Sequence, residues 1–187
     1  MLDRFSCLTG LGLLLALAYR LLPETELILV LAGLLGYVAA DLASGTVHWF
    51  CDTYFAEDTP VIGPLLIAPF REHHVDALAI TRHDVWERNG NSCLPLIPIL
   101  AALVFTGGLG RFWDAAVLVF AAALMGTNQI HCWAHARHAP GLVRWLQQRR
   151  LILDPESHRR HHRPPNASAY CITTGWLNPL LDRIVSE

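Results

Sequence analysis

Histidine is the residue of this sequence whose number and spacing are most able to support chemistry. The chain has 10 histidines in 187 residues, and neutral imidazole is a common metal ligand. His131 and His135 are four residues apart, so on a helix their imidazoles can point at one cation. Two further runs, at 71–74 and 158–162, contain adjacent histidines. Because adjacent imidazoles in solvent have no packing reason to exist, the pattern predicts a metal site.

The inventory of possible ligands favours two metal ions over one. A single zinc ion takes about four ligands, whereas nine or ten imidazoles converge here with the carboxylates of Asp52, Glu72 and Asp84. The five cysteines lie far apart without a C-x-x-C pair, which indicates free thiols in a reducing compartment. Nitrogen-rich sites with open positions suit iron and oxygen chemistry, but this ligand type leaves zinc, copper and manganese open.

The elements that must hold these histidines are membrane helices. The chain is 53% hydrophobic and 16% charged, which excludes intrinsic disorder, and its formal charge of -2 gives no basic field for nucleic acid. Four apolar stretches, at 8–22, 27–42, 94–109 and 115–130, predict an all-α protein with four transmembrane helices. Each stretch covers roughly 24 Å, short of the ~30 Å hydrocarbon core, so each helix must continue into its flanking residues.

Two alternatives to four membrane spans stay open. The stretches could be buried helices of a soluble bundle, although the runs at 11–17 and 115–125 are apolar on every face. The first stretch could be a signal peptide, although Arg20 and a second apolar run follow closely, as in a helical hairpin. Two other segments, 59–69 with three prolines and 142–153 with Trp145 among arginines, are predicted to lie in the membrane interface.

Arginine predicts the orientation in the membrane. With four spans, all the arginines except Arg20 and Arg111 lie on the side that holds the N-terminus, the segment 51–92 and the chain after His131. The positive-inside rule makes that side cytosolic, so the chain is predicted to be a multi-pass membrane protein, in the cytoplasmic membrane if the source is bacterial. All 10 histidines fall on that side or at cytosolic helix ends, which predicts a cytosolic, histidine-rich metal-binding cap.

Two of the helices are predicted to carry a polar stripe out of the hydrocarbon. The steps between Asp41, Gly45, His48 and Asp52 are four, three and four residues, which is one helical face. The last span repeats the pattern in a second set of four residues: Asn128, His131, His135 and His138. Ionisable groups at such depths cost enough free energy that a function is the default expectation.

Six motifs resemble those of the Kua/CarF lipid desaturase family. They are His48-Trp49, Arg71-Glu72-His73-His74, Thr81-Arg82-His83-Asp84, Asn128-Gln129-Ile130-His131-x-Trp133-x-His135, His158-x-x-His161-His162 and the block from Tyr170 to Asn178. The resemblance runs from about Asp41 to Asp182, and it is specific because the order and the spacing of the motifs match. It implies a single lipid desaturase domain over residues 1–187.

This family includes the plasmanylethanolamine desaturases, which make plasmalogens, and a plant chloroplast desaturase that introduces a trans double bond into palmitate on phosphatidylglycerol. The resemblance therefore implies an O2-dependent oxidoreductase with two iron ions that converts a plasmanyl (1-O-alkyl) phospholipid to a plasmalogen vinyl ether. An acyl-lipid desaturase of the trans type is the alternative. Two electrons per turnover must come from outside the chain, from a cytochrome b5 or a ferredoxin-type donor.

The resemblance also implies roles for individual residues. The implied metal ligands are His48, His73, His74, His83, His131, His135, His158, His161 and His162, and which of the nine does not bind metal stays open. His138 stands where the family pattern has no histidine, and it is interpreted either as a hydrogen-bond partner of ligand residues or as incidental. Asp52, Glu72 and Asp84 are expected to hydrogen-bond ligand imidazoles, with direct coordination as the alternative.

No catalytic group is predicted beyond the metal site. Arg71 and Arg82 could pair with a lipid phosphate. Five further motif residues could shape a substrate channel: Asn128, Trp133, Thr173, Trp176 and Asn178. A divalent-metal transporter or sensor is the alternative from another class, but a transporter should carry ligands near the bilayer midplane, where only Asp41 is expected here.

Overall fold

The computed structural model describes residues 1–21 and 26–185, and this part of the chain is helical without a strand. The helices are α1 Leu2–Leu21, α2 Leu27–Thr53, α3 Ala68–Val75, α4 Val85–Cys93, α5 Leu96–Thr106, α6 Arg111–His135, α7 Gly141–Gln148, α8 Pro155–His161 and α9 Asn178–Val185. A π-helical turn, Gly63–Ile67, precedes α3, and a 3-10 turn, Ala79–Thr81, follows it. The predicted all-α class is confirmed.

Three of the described helices, α1, α2 and α6, are long and apolar enough to cross a membrane. The third predicted span, 94–109, differs from a straight helix. Its helical part, α5, has 11 residues and reaches only about 16 Å at 1.5 Å per residue. It joins α4 through a 62° bend at Leu94 and Pro95, because proline has no N–H to continue the helical hydrogen bonds. The described chain therefore has three candidate spans, or four if the bent pair crosses as one.

The chain forms two compact units, the first made of residues 1–40 and 85–127. Its core packs Leu14 and Leu17 of α1 against Leu100 and Leu103 of α5 and Ala121 of α6. Many apolar side chains of α1 and α2 stay about half exposed. Such a distribution fits helices whose outer faces contact lipid, since soluble monomers rarely expose large continuous apolar surfaces.

The second unit comprises residues 41–84 and 128–187 and contains all 10 histidines. Its C-terminal segment is fastened to α2 by the fully buried carboxylate of Asp41. This carboxylate accepts hydrogen bonds from the backbone N–H groups of Thr174 (2.6 Å), Gly175 (2.9 Å) and Leu177 (3.0 Å). Gly175 has a φ of +80°, a conformation that glycine adopts without a steric cost and that helps three N–H groups converge.

The predicted continuation beyond the apolar stretch is confirmed for α1, α2 and α6, whereas α5 begins and ends inside the third stretch. Helix α2 runs to Thr53, and Asp41, Gly45 and His48 lie on its buried face. Helix α6 ends at His135, so the prediction that His138 continues its stripe is wrong: His138 lies in the following loop and is exposed.

The two segments assigned to the membrane interface contain short helices. Residues 59–69 form the π-helical turn and the start of α3, which confirms that they do not span, and residues 142–153 contain most of α7. Their place at the membrane surface stays a prediction. All five cysteines are free thiols, as predicted.

Candidate metal centre

The first histidine group consists of five imidazoles that each offer one nitrogen, and these five nitrogens lie within 4.8 Å of one another: His73, His131, His135, His158 and His162. Helix α3 contributes one of them, α6 two, and α8 with the residue after it the other two. Helix α8 starts at a defined place because the Asp154 side chain caps it, accepting from the N–H groups of Glu156 and Ser157 at 3.0 Å.

Three Nε2 atoms of this group form a nearly equilateral triangle. The His131–His158 and His135–His158 distances are 2.8 Å and the His131–His135 distance is 3.1 Å. A neutral imidazole nitrogen either donates or accepts a hydrogen bond, so at least two of the three must repel each other. A cation about 2.1 Å from each nitrogen removes that conflict, because ligands at right angles around it would be about 3.0 Å apart. The triangle is thus small enough for all three nitrogens to bind one metal ion.

The second histidine group consists of His48, His73, His74 and His161 and meets the same 4.8 Å limit. The Nε2 atoms of His74 and His161 are 2.9 Å apart. A carboxylate oxygen of Asp52 faces this group, at 3.4 Å from Nε2 of His48, 3.5 Å from His74 and 3.7 Å from His161. This group therefore offers three or four nitrogens and one oxygen to a second ion.

His73 belongs to both groups and is almost fully buried. Its ring centroid is 4.4 Å from that of His74 in the second group and 4.9 Å from that of His131 in the first. Its Nε2 has no hydrogen-bond partner. The same is true of Nε2 of His48 and of both carboxylate oxygens of Asp52. Buried polar atoms without partners are costly, and two bound cations would satisfy them. The donor set therefore fits a pair of metal ions.

Backbone carbonyl groups fix the orientation of two rings in the second histidine group. Nδ1 of His48 lies 3.1 Å from the Tyr170 carbonyl oxygen, and Nδ1 of His161 lies 2.9 Å from that of Ser168. A carbonyl oxygen only accepts, so both Nδ1 atoms carry the proton and both Nε2 atoms present a lone pair. No sequence signal pointed to these carbonyl groups, although Tyr170 opens the last family motif.

Four histidines of the two groups that lie outside the candidate spans, His73, His74, His158 and His161, are held in the neutral form that binds metal. Burial is the largest cause: it lowers the pKa of His73 and His158 well below the ordinary value of 6.5. It also lowers the pKa of His74 to about 4 and that of His161 to about 3. Neighbouring imidazoles, which repel a second positive charge, act in the same direction. At neutral pH these rings keep their lone pairs for a cation.

Comparison with known proteins shows the family of this chain. A family model described as a lipid desaturase domain matches residues 37–185. The chain belongs to this lipid desaturase family. It is 46% identical over 175 residues to the plasmanylethanolamine desaturase of Myxococcus xanthus, covering 90% of this chain and 62% of that protein. It is 42% identical over 168 residues to plasmanylethanolamine desaturase 1 of Mus musculus, covering 84% of this chain and 61% of that protein.

A plant relative is more distant. Fatty acid desaturase 4, chloroplastic, of Arabidopsis thaliana is 36% identical over 157 residues, covering 81% of this chain and 47% of that protein. The chain thus spans about half to three fifths of the length of these relatives. No solved structure matches it. The predicted family is confirmed, and with its apolar helices the desaturase domain is that of a membrane protein.

The structure brings eight of the nine predicted ligands together and leaves one outside. His83 belongs to neither histidine group, because it lies in the turn between α3 and α4. Of the three predicted carboxylates, Asp52 faces ligand imidazoles, whereas Glu72 and Asp84 are exposed and belong to neither group. The geometry thus supports a set of eight histidines and Asp52.

The two arginines predicted to bind phosphate differ in their surroundings. Arg82 is exposed and forms an ion pair with Asp76 at 2.5 Å. Arg71 is half-buried, donates to the Phe55 carbonyl group, and lines a cavity of about 420 Å³. His74 and Asp52 line the same cavity, so this space adjoins the second histidine group.

Three of the five residues predicted to shape a substrate channel form hydrogen bonds of the C-terminal segment. Asn178 accepts from the Cys171 N–H at 2.7 Å, Thr173 donates to the Ser44 hydroxyl at 3.3 Å, and the Trp176 indole donates to the Arg150 carbonyl at 2.6 Å. Trp133 packs beside Ile130, Leu153 and their neighbours, and Asn128 lies half-buried on α6. None of the five lines the 420 Å³ cavity.

Proposed function

We propose that this protein is an O2-dependent membrane lipid desaturase that holds two iron ions in its two histidine groups. The observation that carries the proposal is the pair of groups sharing His73, with buried nitrogens too close together to be satisfied without cations. The proposed ligands are His48, His73, His74, His131, His135, His158, His161 and His162. Asp52 either binds the second iron or hydrogen-bonds its ligands.

The substrate we propose is a plasmanyl phospholipid, whose 1-O-alkyl chain becomes the vinyl ether of a plasmalogen. The names of the Myxococcus and mouse relatives support this choice. Two hydrogens leave adjacent CH2 groups, and O2 is reduced to two waters with two electrons and two protons from outside the chain. A cytochrome b5 or a ferredoxin-type protein is the proposed electron donor.

Bound iron would supply the oxidising power that abstraction of hydrogen from an unactivated chain requires, which no side chain offers. The protein's own residues do the positioning. The Tyr170 and Ser168 carbonyl groups set the tautomers of His48 and His161, and burial of most of these rings excludes water. We place this site on the cytosolic side of the membrane, because the arginine distribution predicts that orientation.

Expression in a host supplied with alkyl ether lipids tests the function. We expect an acid-labile vinyl ether to appear, and to be absent when His131 or His161 is replaced by alanine. An acyl-lipid desaturase is the second candidate, favoured by the identity to the Arabidopsis relative. A new acyl double bond without any vinyl ether would establish the second candidate in place of the first.

A further inference from the structure

The cavity beside the second histidine group has the composition of a site for a lipid headgroup. Its volume of about 420 Å³ lies in the range of small-molecule pockets. Two of its wall residues, His74 and Asp52, belong to or face the second histidine group, and Asn166 and Tyr170 add polar atoms. Arg71 is its only positively charged lining residue in the part of the chain that the structure describes.

Arg71 can bind an anion in this cavity while keeping its structural contact. One of its nitrogens donates to the Phe55 carbonyl group, and a guanidinium has five N–H donors in a planar fork that suits phosphate oxygens. Half-burial strengthens such a contact relative to one in open water. Arg82, exposed and already paired with Asp76, has no such setting.

The spacing between Arg71 and His74 matches the geometry of a glycerophospholipid. The two residues are one turn apart on α3, so their Cβ atoms lie about 5–6 Å apart. In a glycerophospholipid about six bonds, or roughly 7 Å, separate the phosphorus from the first carbon of the chain on the sn-1 oxygen. Carbons in the middle of that chain lie about 10 Å farther away.

We infer that the cavity binds the phosphate of a membrane phospholipid on Arg71, and that this contact selects the first chain carbons as the position of desaturation. The inference rests on the proposed function for the reacting end and on the cavity itself for the phosphate end. Held by its phosphate, the lipid presents the carbons next to the glycerol linkage to the metals near His74. Carbons in the middle of the chain lie farther from the phosphate than the metals do.

Binding of two matched lipids tests the phosphate contact without any turnover. The probes are a 1-O-alkyl-2-acyl-glycerophosphoethanolamine and the 1-O-alkyl-2-acylglycerol of the same chains, which lacks the phosphate, each titrated into the purified full chain in detergent. Wild-type protein should bind the phospholipid about 10- to 100-fold more tightly, the range of a charge-assisted hydrogen bond. Arg71→Gln should lose this preference and bind the phosphate-free lipid as wild type does, whereas Arg71→Lys should keep part of it.

Two controls separate this effect from a general loss of surface charge and from misfolding. Arg144→Gln removes one exposed positive charge of α7, away from the cavity lining, and should keep the full preference. Metal content of Arg71→Gln should equal that of wild type. The inference would be overturned by equal affinity of wild type for both lipids, or by an equal loss of affinity for both lipids in Arg71→Gln. It would also be overturned if inorganic phosphate competed for the site as strongly as the phospholipid does.

The position of the double bond provides the second readout. With active protein, Arg71→Gln should form a larger share of products desaturated away from the glycerol end. If wild type desaturates no lipid but still prefers the phospholipid through Arg71, the proposed function fails and the phosphate site stands. If desaturation occurs and the Arg71→Gln products and affinities are unchanged, the phosphate site fails and the proposed function stands.

Discussion

The two histidine groups share one residue but are built differently. The first is made only of imidazoles, and its Nε2 triangle of 2.8–3.1 Å comes from α6 and α8. The second adds a carboxylate, takes two ring orientations from backbone carbonyl groups, and adjoins the 420 Å³ cavity. Under the proposed function the first group would mainly fix a metal in place, whereas the second would lie where a substrate can approach through the cavity.

Loss of the shared histidine should have the largest effect. His73→Ala removes a nitrogen from both groups, so we expect loss of both irons and activity at background. His135→Ala removes a ligand of the first group alone and His74→Ala one of the second alone, so each should keep about one iron per chain. Metal analysis of the three purified variants checks this ranking. Equal metal loss in all three would show that the two groups bind as one unit.

Removal of the carboxylate should affect only the second group. Asp52→Asn keeps the shape of the side chain but removes the charge that faces three imidazoles. Partners of metal ligands typically contribute 10- to 100-fold to metal affinity, so we expect the second iron to be weakened by about that factor. Competition with a chelator measures it, and Glu72→Gln, at an exposed carboxylate, is the matched control. Weaker binding of the first iron would contradict this division.

The buried carboxylate of Asp41 should act on the second group indirectly. Asp41→Asn replaces one acceptor oxygen by an N–H group that faces a backbone donor, which costs about 1–3 kcal/mol. The loosened segment carries the Tyr170 carbonyl group that orients His48, so the second iron should also bind more weakly. Thermal unfolding and metal retention measure the two effects. Asp154→Ala removes the N-cap of α8 at a cost of about 0.5–2 kcal/mol, and it should weaken both groups, because α8 carries His158 of the first and His161 of the second.

A glycine on α2 gives the smallest expected effect. A Cβ at Gly45 would lie 2.5 Å from Sγ of Cys171 and 2.8 Å from Cδ2 of Leu181, and such overpacking costs about 1–3 kcal/mol. Gly126 of α6 has open space around it, so Gly126→Ala should stabilise its helix by about 0.5–1 kcal/mol. Unfolding curves of the two variants should shift in opposite directions. A neutral Gly45→Ala would show that α2 can move away from the C-terminal segment without harm.

The sequence predicted the parts of this site that depend on helical periodicity and motif order. The spacing of Asp41, Gly45 and His48 on α2, and of His131 and His135 on α6, follows from 3.6 residues per turn. The bend at Pro95 was missed because the apolar composition continues across it. His83 stands in a family motif but belongs to neither group, which motif order alone does not reveal.

Contacts between distant segments could not be predicted from spacing. The bonds from Asp41 to the Thr174–Leu177 backbone join residues more than 130 positions apart, and the carbonyl groups that orient His48 and His161 have no side-chain signature. The different surroundings of Arg71 and Arg82 likewise depend on the burial of Arg71 and on the ion pair of Arg82 with Asp76. These features arise from the folded arrangement of α2, α3 and the C-terminal segment within the second unit.

The metal content of the purified protein tests the central claim most directly. We predict two iron ions per chain in active protein, parallel loss of iron and of vinyl ether formation on chelation, and recovery of both when iron is returned. A single metal ion per chain, a zinc-only site in active protein, or full activity without metal would contradict the account.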